Sequence, residues 1–290
     1  METVSLFRSP VLEVREVVCD APRGGPSGDE DSTMPCIVIP LRGCYCVNRR
    51  GQGVVADANT AIFFDAALSY RVAHPADEGD VSLVIALEPG AVAEAFGNAT
   101  RPNPERRPFR ATHARVPAAV QLRTRLFRRA LAASPEPLAV EEMALAIVTE
   151  LAATPPPHLS KARAAAVERA KAFLGRHFRE PASLADAARA SGTSPFSLAH
   201  AFPAATGTTL HRYLVSLRLA SALDTIAAGA TDLSRVAVDA GFAHHSHFTK
   251  TFARSFGATP RAVRSLIERC PADEGLADAS SYTTKPPRFG

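Results

Sequence analysis

One pattern occurs twice in the C-terminal half of this chain, and it restricts the possible folds more than any other feature. In the second copy, Asp232 is placed to cap a short helix, Gly241 to end it, and Phe248 opens a new helix with one apolar face. Ser183 and Gly192 hold the matching positions 49 residues earlier. A short helix, a glycine turn and a second helix with a polar outer face are typical of a DNA-reading helix-turn-helix.

The sequence around this repeat carries a family resemblance. The stretch GFAHHSHFTKTFARSFGATP, residues 241–260, and its earlier counterpart resemble the AraC/XylS family of bacterial transcription regulators. The resemblance covers residues 161–267. It implies an all-α DNA-binding domain with two helix-turn-helix units, at 183–206 and 232–256, joined by a long helix at 208–228. It further implies a sequence-specific transcription regulator, with double-stranded DNA and RNA polymerase as partners.

The charge distribution agrees with that assignment. Residues 161–267 hold 14 Lys and Arg against 6 Asp and Glu, whereas residues 1–160 hold 16 against 19. A basic surface on the half that carries the helix-turn-helix pattern is what binding to DNA phosphates requires. The sequence therefore predicts that the C-terminal domain binds double-stranded DNA.

Residues 1–110 have a different pattern, with short apolar runs separated by turn residues and a Pro/Gly/Asp-rich loop at 21–33. Such spacing predicts a β-barrel or sandwich, and the family resemblance makes it a cupin-like half-barrel that senses a small-molecule effector. Four polar side chains are candidates for the effector pocket: Tyr45, Tyr70, Arg71 and His74. The predicted strands lie at 11–18, 37–39, 44–48, 52–56, 61–64, 69–72 and 81–87.

Residues 111–153 predict two antiparallel helices, because apolar residues recur at helical spacing on either side of a short Pro-containing turn. This hairpin is either a cap on the sensor domain or the interface of a homodimer. In the second case, the contacts come from Leu122, Leu126, Ile147 and Leu151. Residues 154–160 are a proline-rich linker. Residues 268–290 have the composition of a disordered tail.

Base-reading side chains lie near the start of the helix that enters the major groove. Position by position, the family pattern places them at Phe196, Ser197, Ala199, His200, His245, Ser246, Thr249 and Lys250. The first unit departs from the pattern, because no Lys or Arg lies between Ser194 and Gly207. Pro203 also lies inside the first reading helix, so we expect that helix to kink or end early. Phe196 is either a thymine contact or a partly buried core residue.

The remaining features argue against an enzyme. Residues before 110 contain a single histidine, His74, so a cupin metal centre lacks its ligand set. His244, His245 and His247 lack the spacing of a metal site, and we expect neither metal nor cofactor. The alternative function is a thiol-dependent DNA-repair or sensing protein that uses Cys36, Cys44 and Cys46. The odd number of cysteines predicts a reducing cytoplasm, and neither a signal peptide nor a membrane span is expected.

Overall fold

The structure, a computed structural model, describes residues 1–20, 24–76, 78–88, 91–92, 108–109, 111–132, 136–153 and 160–269. The predicted two-domain architecture is confirmed: a mainly β domain with a helical hairpin precedes an all-α domain with two helix-turn-helix units. The predicted linker at 154–160 and tail at 268–290 lie almost wholly outside the described residues.

The β domain consists of two antiparallel sheets. The six-stranded sheet has the order β1-β2-β9-β4-β7-β10, and the four-stranded sheet has the order β3-β8-β5-β6. The strands are β1 Glu2–Arg8, β2 Leu12–Cys19, β3 Glu30–Ser32, β4 Cys36–Arg42, β5 Tyr45–Arg49, β6 Gln52–Ala56, β7 Thr60–Phe64, β8 Leu68–Ala73, β9 Asp80–Leu87 and β10 His113–Arg115.

Three strands differ from the prediction, for two reasons. β1 is a mostly exposed edge strand paired with β2, and its apolar residues Val4, Leu6 and Phe7 do not alternate regularly enough to identify a strand. β3 lies inside the predicted loop at 21–33, where Glu30 pairs with Tyr70 of β8. β3 and β10 have three residues each, which is too short for a period-two pattern.

The six-stranded sheet is buried on both faces, and this explains its continuous apolar strands. Successive side chains of a strand point to opposite faces. Ile37, Phe63 and Ile85 belong to the core shared with the helices, whereas Ile62 and Phe64 pack in the cluster beside the four-stranded sheet. The six-stranded sheet therefore packs on one face against the helices and on the other against the four-stranded sheet.

The hairpin consists of α1 (Ala118–Leu131) and α2 (Pro137–Ala152). Its apolar side chains are at most 1 % exposed and pack in the same core as the six-stranded sheet and the second helix-turn-helix unit: Leu122, Leu126, Ile147 and Leu151. The prediction that these four residues form a dimer interface is therefore wrong, since they are already buried within one chain. Asp substitutions there would disrupt folding, because they would bury an unpaired carboxylate.

The C-terminal domain contains α3 Lys161–His177, α4 Leu184–Ser191, α5 Pro195–Thr206, α6 Leu210–Ala227, α7 Leu233–Asp239, α8 His245–Phe256 and α9 Pro260–Arg269. The predicted caps are present: Ser183 forms a capping box with Asp186, and the Asp232 side chain accepts from two backbone N–H groups of α7. Among the described residues, no helix combines the length and the apolarity that crossing a membrane needs.

The predicted early end of the first reading helix is wrong. Helix α5 continues through Pro203 to Thr206, and Gly207 closes it. Leu198 and Phe202 precede the proline on the buried face and are fully buried. Their packing holds the helix in place although the proline lacks a backbone donor.

Buried hydrogen bonds join the β domain to α6, the helix between the two units. The Tyr213 hydroxyl donates to Asp57 at 2.6 Å, and Asn59 Nδ2 donates to the Tyr213 carbonyl at 3.1 Å. Ser216 donates to Asn59 Oδ1 at 2.6 Å, and Gln121 of the hairpin donates to the Ala58 carbonyl at 2.8 Å. Burial raises the pKa of Asp57 despite these donors. The two domains are therefore joined by polar contacts as well as by apolar packing.

His113, on β10, should make the stability of this assembly sensitive to acid. Burial, then the nearby Lys171 ammonium, lowers the pKa of His113 to about 4, although Glu168 opposes this. The unfolded chain takes up this proton near pH 6.5, so stability is complete above that pH and is lost as the pH falls towards 4. We expect a loss of about 1–3 kcal/mol from this group. Urea unfolding at pH 7 and pH 5 measures it.

The matched variant is His113→Gln, which should show a smaller drop in unfolding free energy between the two pH values. His211→Gln, at an exposed position of α6, serves as the control. Identical drops in wild type and His113→Gln would show that His113 does not contribute.

Candidate nucleic-acid interface

The second helix-turn-helix unit presents a polar surface at the start of α8. His245, Ser246 and Lys250 are exposed and Thr249 is half-buried, whereas Phe248 and its apolar partners on the opposite face are buried. The four polar residues occupy the face that would enter the major groove of DNA. Their role in base reading stays a prediction.

The turn before α8 requires a glycine. Gly241 has φ +86°, and a Cβ there would lie 2.7 Å from the carbonyl oxygen of Arg179, which is backbone and cannot move aside cheaply. The sequence pattern had identified this position correctly. The turn therefore fixes the angle of α8 both by its backbone conformation and by contact with the segment after α3.

The first unit presents a different surface. Phe196 is 76 % exposed, so its alternative assignment to the core is wrong. Its ring packs edge-on against His200, with the ring centroids 4.5 Å apart. Ser197 and Ala199 are also exposed. An aromatic group beside two small residues can make apolar contact with a thymine methyl group, but it supplies no positive charge.

The four predicted effector residues do not form one pocket. Tyr45 is buried between the two sheets, and Tyr70 packs edge-on against Phe64 at 4.5 Å. Arg71 lies on the surface in an ion pair with Asp29 at 2.7 Å. His74 lies on the wall of a cleft between the β domain and the helical domain, and its ring centroid is 6.5 Å from that of Tyr45.

That cleft has a volume of about 470 Å³ and carries cationic side chains. Its lining includes His74 and Pro75 from the β domain, with Arg169 and Arg176 from α3. Arg169 is held by two hydrogen bonds to the Ser191 carbonyl, at 2.7 and 2.9 Å. The sequence did not reveal the two arginines as pocket residues, because they belong to the other domain and are far away along the chain.

The cysteine chemistry of the alternative function has no support here. Burial raises the pKa of Cys36 to about 11 and that of Cys44 to about 12, and it also raises the pKa of Cys46. These thiols are protonated at neutral pH, whereas the thiolate is the nucleophile. Cys44 packs against Gly175 of α3, so it is a packing residue at the domain boundary.

Comparison with known proteins supports the helix-turn-helix assignment of the C-terminal domain. Residues 187–265 match the family of helix-turn-helix domains. The chain is similar to the HTH-type transcriptional activator RhaS of Escherichia fergusonii, with 34 % identity over 93 residues, covering 32 % of this chain and 34 % of RhaS. It is also similar to the HTH-type transcriptional regulator ExsA of Pseudomonas aeruginosa, with 26 % identity over 106 residues, or 37 % and 38 % of the two chains. The C-terminal domain is of the AraC type.

The chain spans only about a third of the length of these curated relatives. Among solved structures, ToxT from Vibrio cholerae with a bound unsaturated fatty acid is similar over 89 % of this chain and 96 % of ToxT. The sequence identity is 10 % and the TM-score is 0.36.

Proposed function

We propose that this protein is a DNA-binding transcription regulator whose N-terminal domain binds a small-molecule effector. The observation that carries the proposal is the exposed polar face at the start of α8, in an AraC-type domain with excess positive charge. Double-stranded DNA is the direct partner, and RNA polymerase follows from the role in transcription. A homodimer would need a surface other than the buried hairpin residues.

Base reading should depend more on the second unit than on the first. The second reading helix carries Lys250 and Arg254, whereas the first carries no Lys or Arg. We expect Lys250→Ala to weaken binding by about 1–3 kcal/mol and to relax the base preference in one half of the site, as loss of a base-edge contact does. Lys161→Ala, at the exposed start of α3, removes the same charge outside the reading helices and is the control.

The experiment first selects bound DNA from a random pool and then titrates each variant against that site and its two half-scrambled versions. Wild-type affinity should fall steeply with salt, because Lys and Arg contacts to phosphate release counterions. Equal losses from scrambling either half would contradict the unequal reading. A salt-independent affinity would contradict DNA binding through the basic domain.

For the effector, we propose a small anion in the interdomain cleft. The cleft wall carries Arg169 and Arg176 opposite residues of the β domain, and guanidinium groups recognise carboxylates and phosphates with good geometry. A ligand held there would contact both domains and could alter how α3 lies against the sensor. Screening carboxylate metabolites for a rise in melting temperature, with Arg176→Gln as the comparison, tests this assignment.

A further inference from the structure

A cluster of three metal-binding side chains lies in the β domain, next to the interdomain cleft. We propose that Cys19, His74 and Asp80 form a zinc site. One ligand atom from each residue lies within 4.8 Å of the others, and His74 Nε2 is 3.0 Å from Asp80 Oδ2. Small side-chain movements would bring the three atoms to the ligand distances of about 2.0–2.3 Å found around zinc.

Strand pairing places two of the ligands together. Cys19 ends β2 and Asp80 begins β9, and the two residues are direct partners in the antiparallel register. Directly opposed residues project to the same face with their Cβ atoms about 5 Å apart. His74 follows the last residue of β8, in the other sheet. The site therefore ties both sheets together at one end of the domain.

The backbone holds this arrangement in place. Gly79 precedes Asp80 and has φ +66°, and a Cβ there would lie 2.4 Å from the Cys19 carbonyl oxygen. A side chain at this position would force the Asp80 segment away from Cys19. The close approach of the segments that carry Cys19 and Asp80 therefore depends on glycine at position 79.

Burial and charge favour a cation at this position. Cys19 is 8 % exposed and the Asp80 side chain is 6 % exposed, and Oδ2 of Asp80 faces the third proposed ligand, His74 Nε2, at 3.0 Å. A buried carboxylate is costly without compensation. A thiolate and a carboxylate together balance the charge of Zn²⁺, and the neutral imidazole supplies the third ligand.

The mixture of donor atoms selects the metal. One sulfur, one nitrogen and one oxygen suit Zn²⁺, whereas Ca²⁺ and Mg²⁺ take oxygen ligands only and Cu(I) prefers sulfur. Three protein ligands leave one coordination position open. His74 also lines the interdomain cleft, so this ligand is accessible to solvent.

The test uses the full-length chain, without a histidine tag and stripped with a chelator. Titration with Co²⁺ should produce one equivalent of a thiolate-to-cobalt charge-transfer band, which Zn²⁺ then removes. Cys19→Ser, His74→Gln and Asp80→Asn should each lower affinity at least about 100-fold, more than the loss of an outer-shell partner does. Cys46→Ser removes another thiol of the same domain and should leave the band unchanged.

His74→Gln is the decisive variant, because His74, with 15 % of its side chain exposed, is the least buried of the three ligands, and the metal-free fold can be checked by circular dichroism. The exposed histidines His244, His245 and His247 cannot give a thiolate band, so they do not interfere. An absent band in wild type, an unchanged band in His74→Gln, or a band lost in Cys46→Ser would each overturn the proposal.

Discussion

Replacing Glu168 by alanine is expected to destabilise the folded chain by about 3–5 kcal/mol, the usual cost of breaking a buried ion pair from one side. Lys171 is 2 % exposed, and its ammonium lies 3.0 Å from the Glu168 carboxylate. Lys171 also donates to the Val55 carbonyl at 2.8 Å, and the Val55 N–H donates to Glu168 at 2.6 Å. Removing the carboxylate leaves a buried cation and a backbone N–H without their partner.

Urea unfolding at pH 7 measures this loss. Asp239→Ala breaks an exposed pair with Arg235 and should cost less than about 1 kcal/mol. The double variant Glu168→Gln/Lys171→Met should recover most of the loss, because uncharged groups of similar size carry no desolvation cost. Equal losses for Glu168→Ala and Asp239→Ala would show that the buried pair contributes no more than a surface pair.

The location of this pair explains what sequence reasoning could and could not find. Glu168 and Lys171 are three residues apart on a helix, a spacing that is typical of solvent-exposed pairs. Their third partner, Val55, lies more than a hundred residues earlier, on β6. Nothing in the local pattern predicts that both side chains bind the backbone of Val55 at a sheet edge, so this contact of α3 with β6 required the structure.

Local signals, in contrast, predicted the helices well. Ser183, Asp232 and the glycines after each helix gave bounds that agree with the structure to within one or two residues. These residues act within one turn of the chain, so their effect can be read from neighbouring letters. Pro203 misled because the packing of Phe202, a tertiary effect, overrides its local preference.

The candidate functional residues also divide into those that the sequence predicted and those that only the structure brings together. The predicted reading positions on α5 and α8 come from the family resemblance, and seven of the eight side chains are exposed, with Thr249 half-buried. The cleft combines His74 with Arg169, and the metal cluster combines Cys19 with Asp80 through strand register. Both sites depend on pairings between distant segments, which a single sequence does not specify.

Phe252→Ala is the second substitution with a large expected effect. Phe252 is fully buried, and its ring centroid lies 5.5 Å from that of Phe248 and 4.5 Å from that of Phe256. Truncation of such a side chain typically costs about 3–5 kcal/mol through lost burial and the cavity left behind. Phe196→Ala, at an exposed position, should change the unfolding free energy by less than about 0.5 kcal/mol.

Phe202 is the matched position in the first unit. Phe202→Ala should lower the unfolding free energy by a similar amount, but it should loosen different neighbouring helices. Phe252 packs in the core that contains the hairpin and the six-stranded sheet, whereas Phe202 packs in a separate cluster with α3 and α4. Helix α6 contributes Leu217 to the cluster around Phe202 and Leu223 to the core that contains Phe252. The two units are therefore supported by different neighbours along one shared helix.

Amide hydrogen exchange distinguishes these effects, because local openings expose only the elements that lose packing. Phe252→Ala should accelerate exchange in α1 and α8, whereas Phe202→Ala should accelerate it in α3 and α4. Acceleration of the same helices by both substitutions would show that the two clusters open together. In that case the first unit could not move independently of the second.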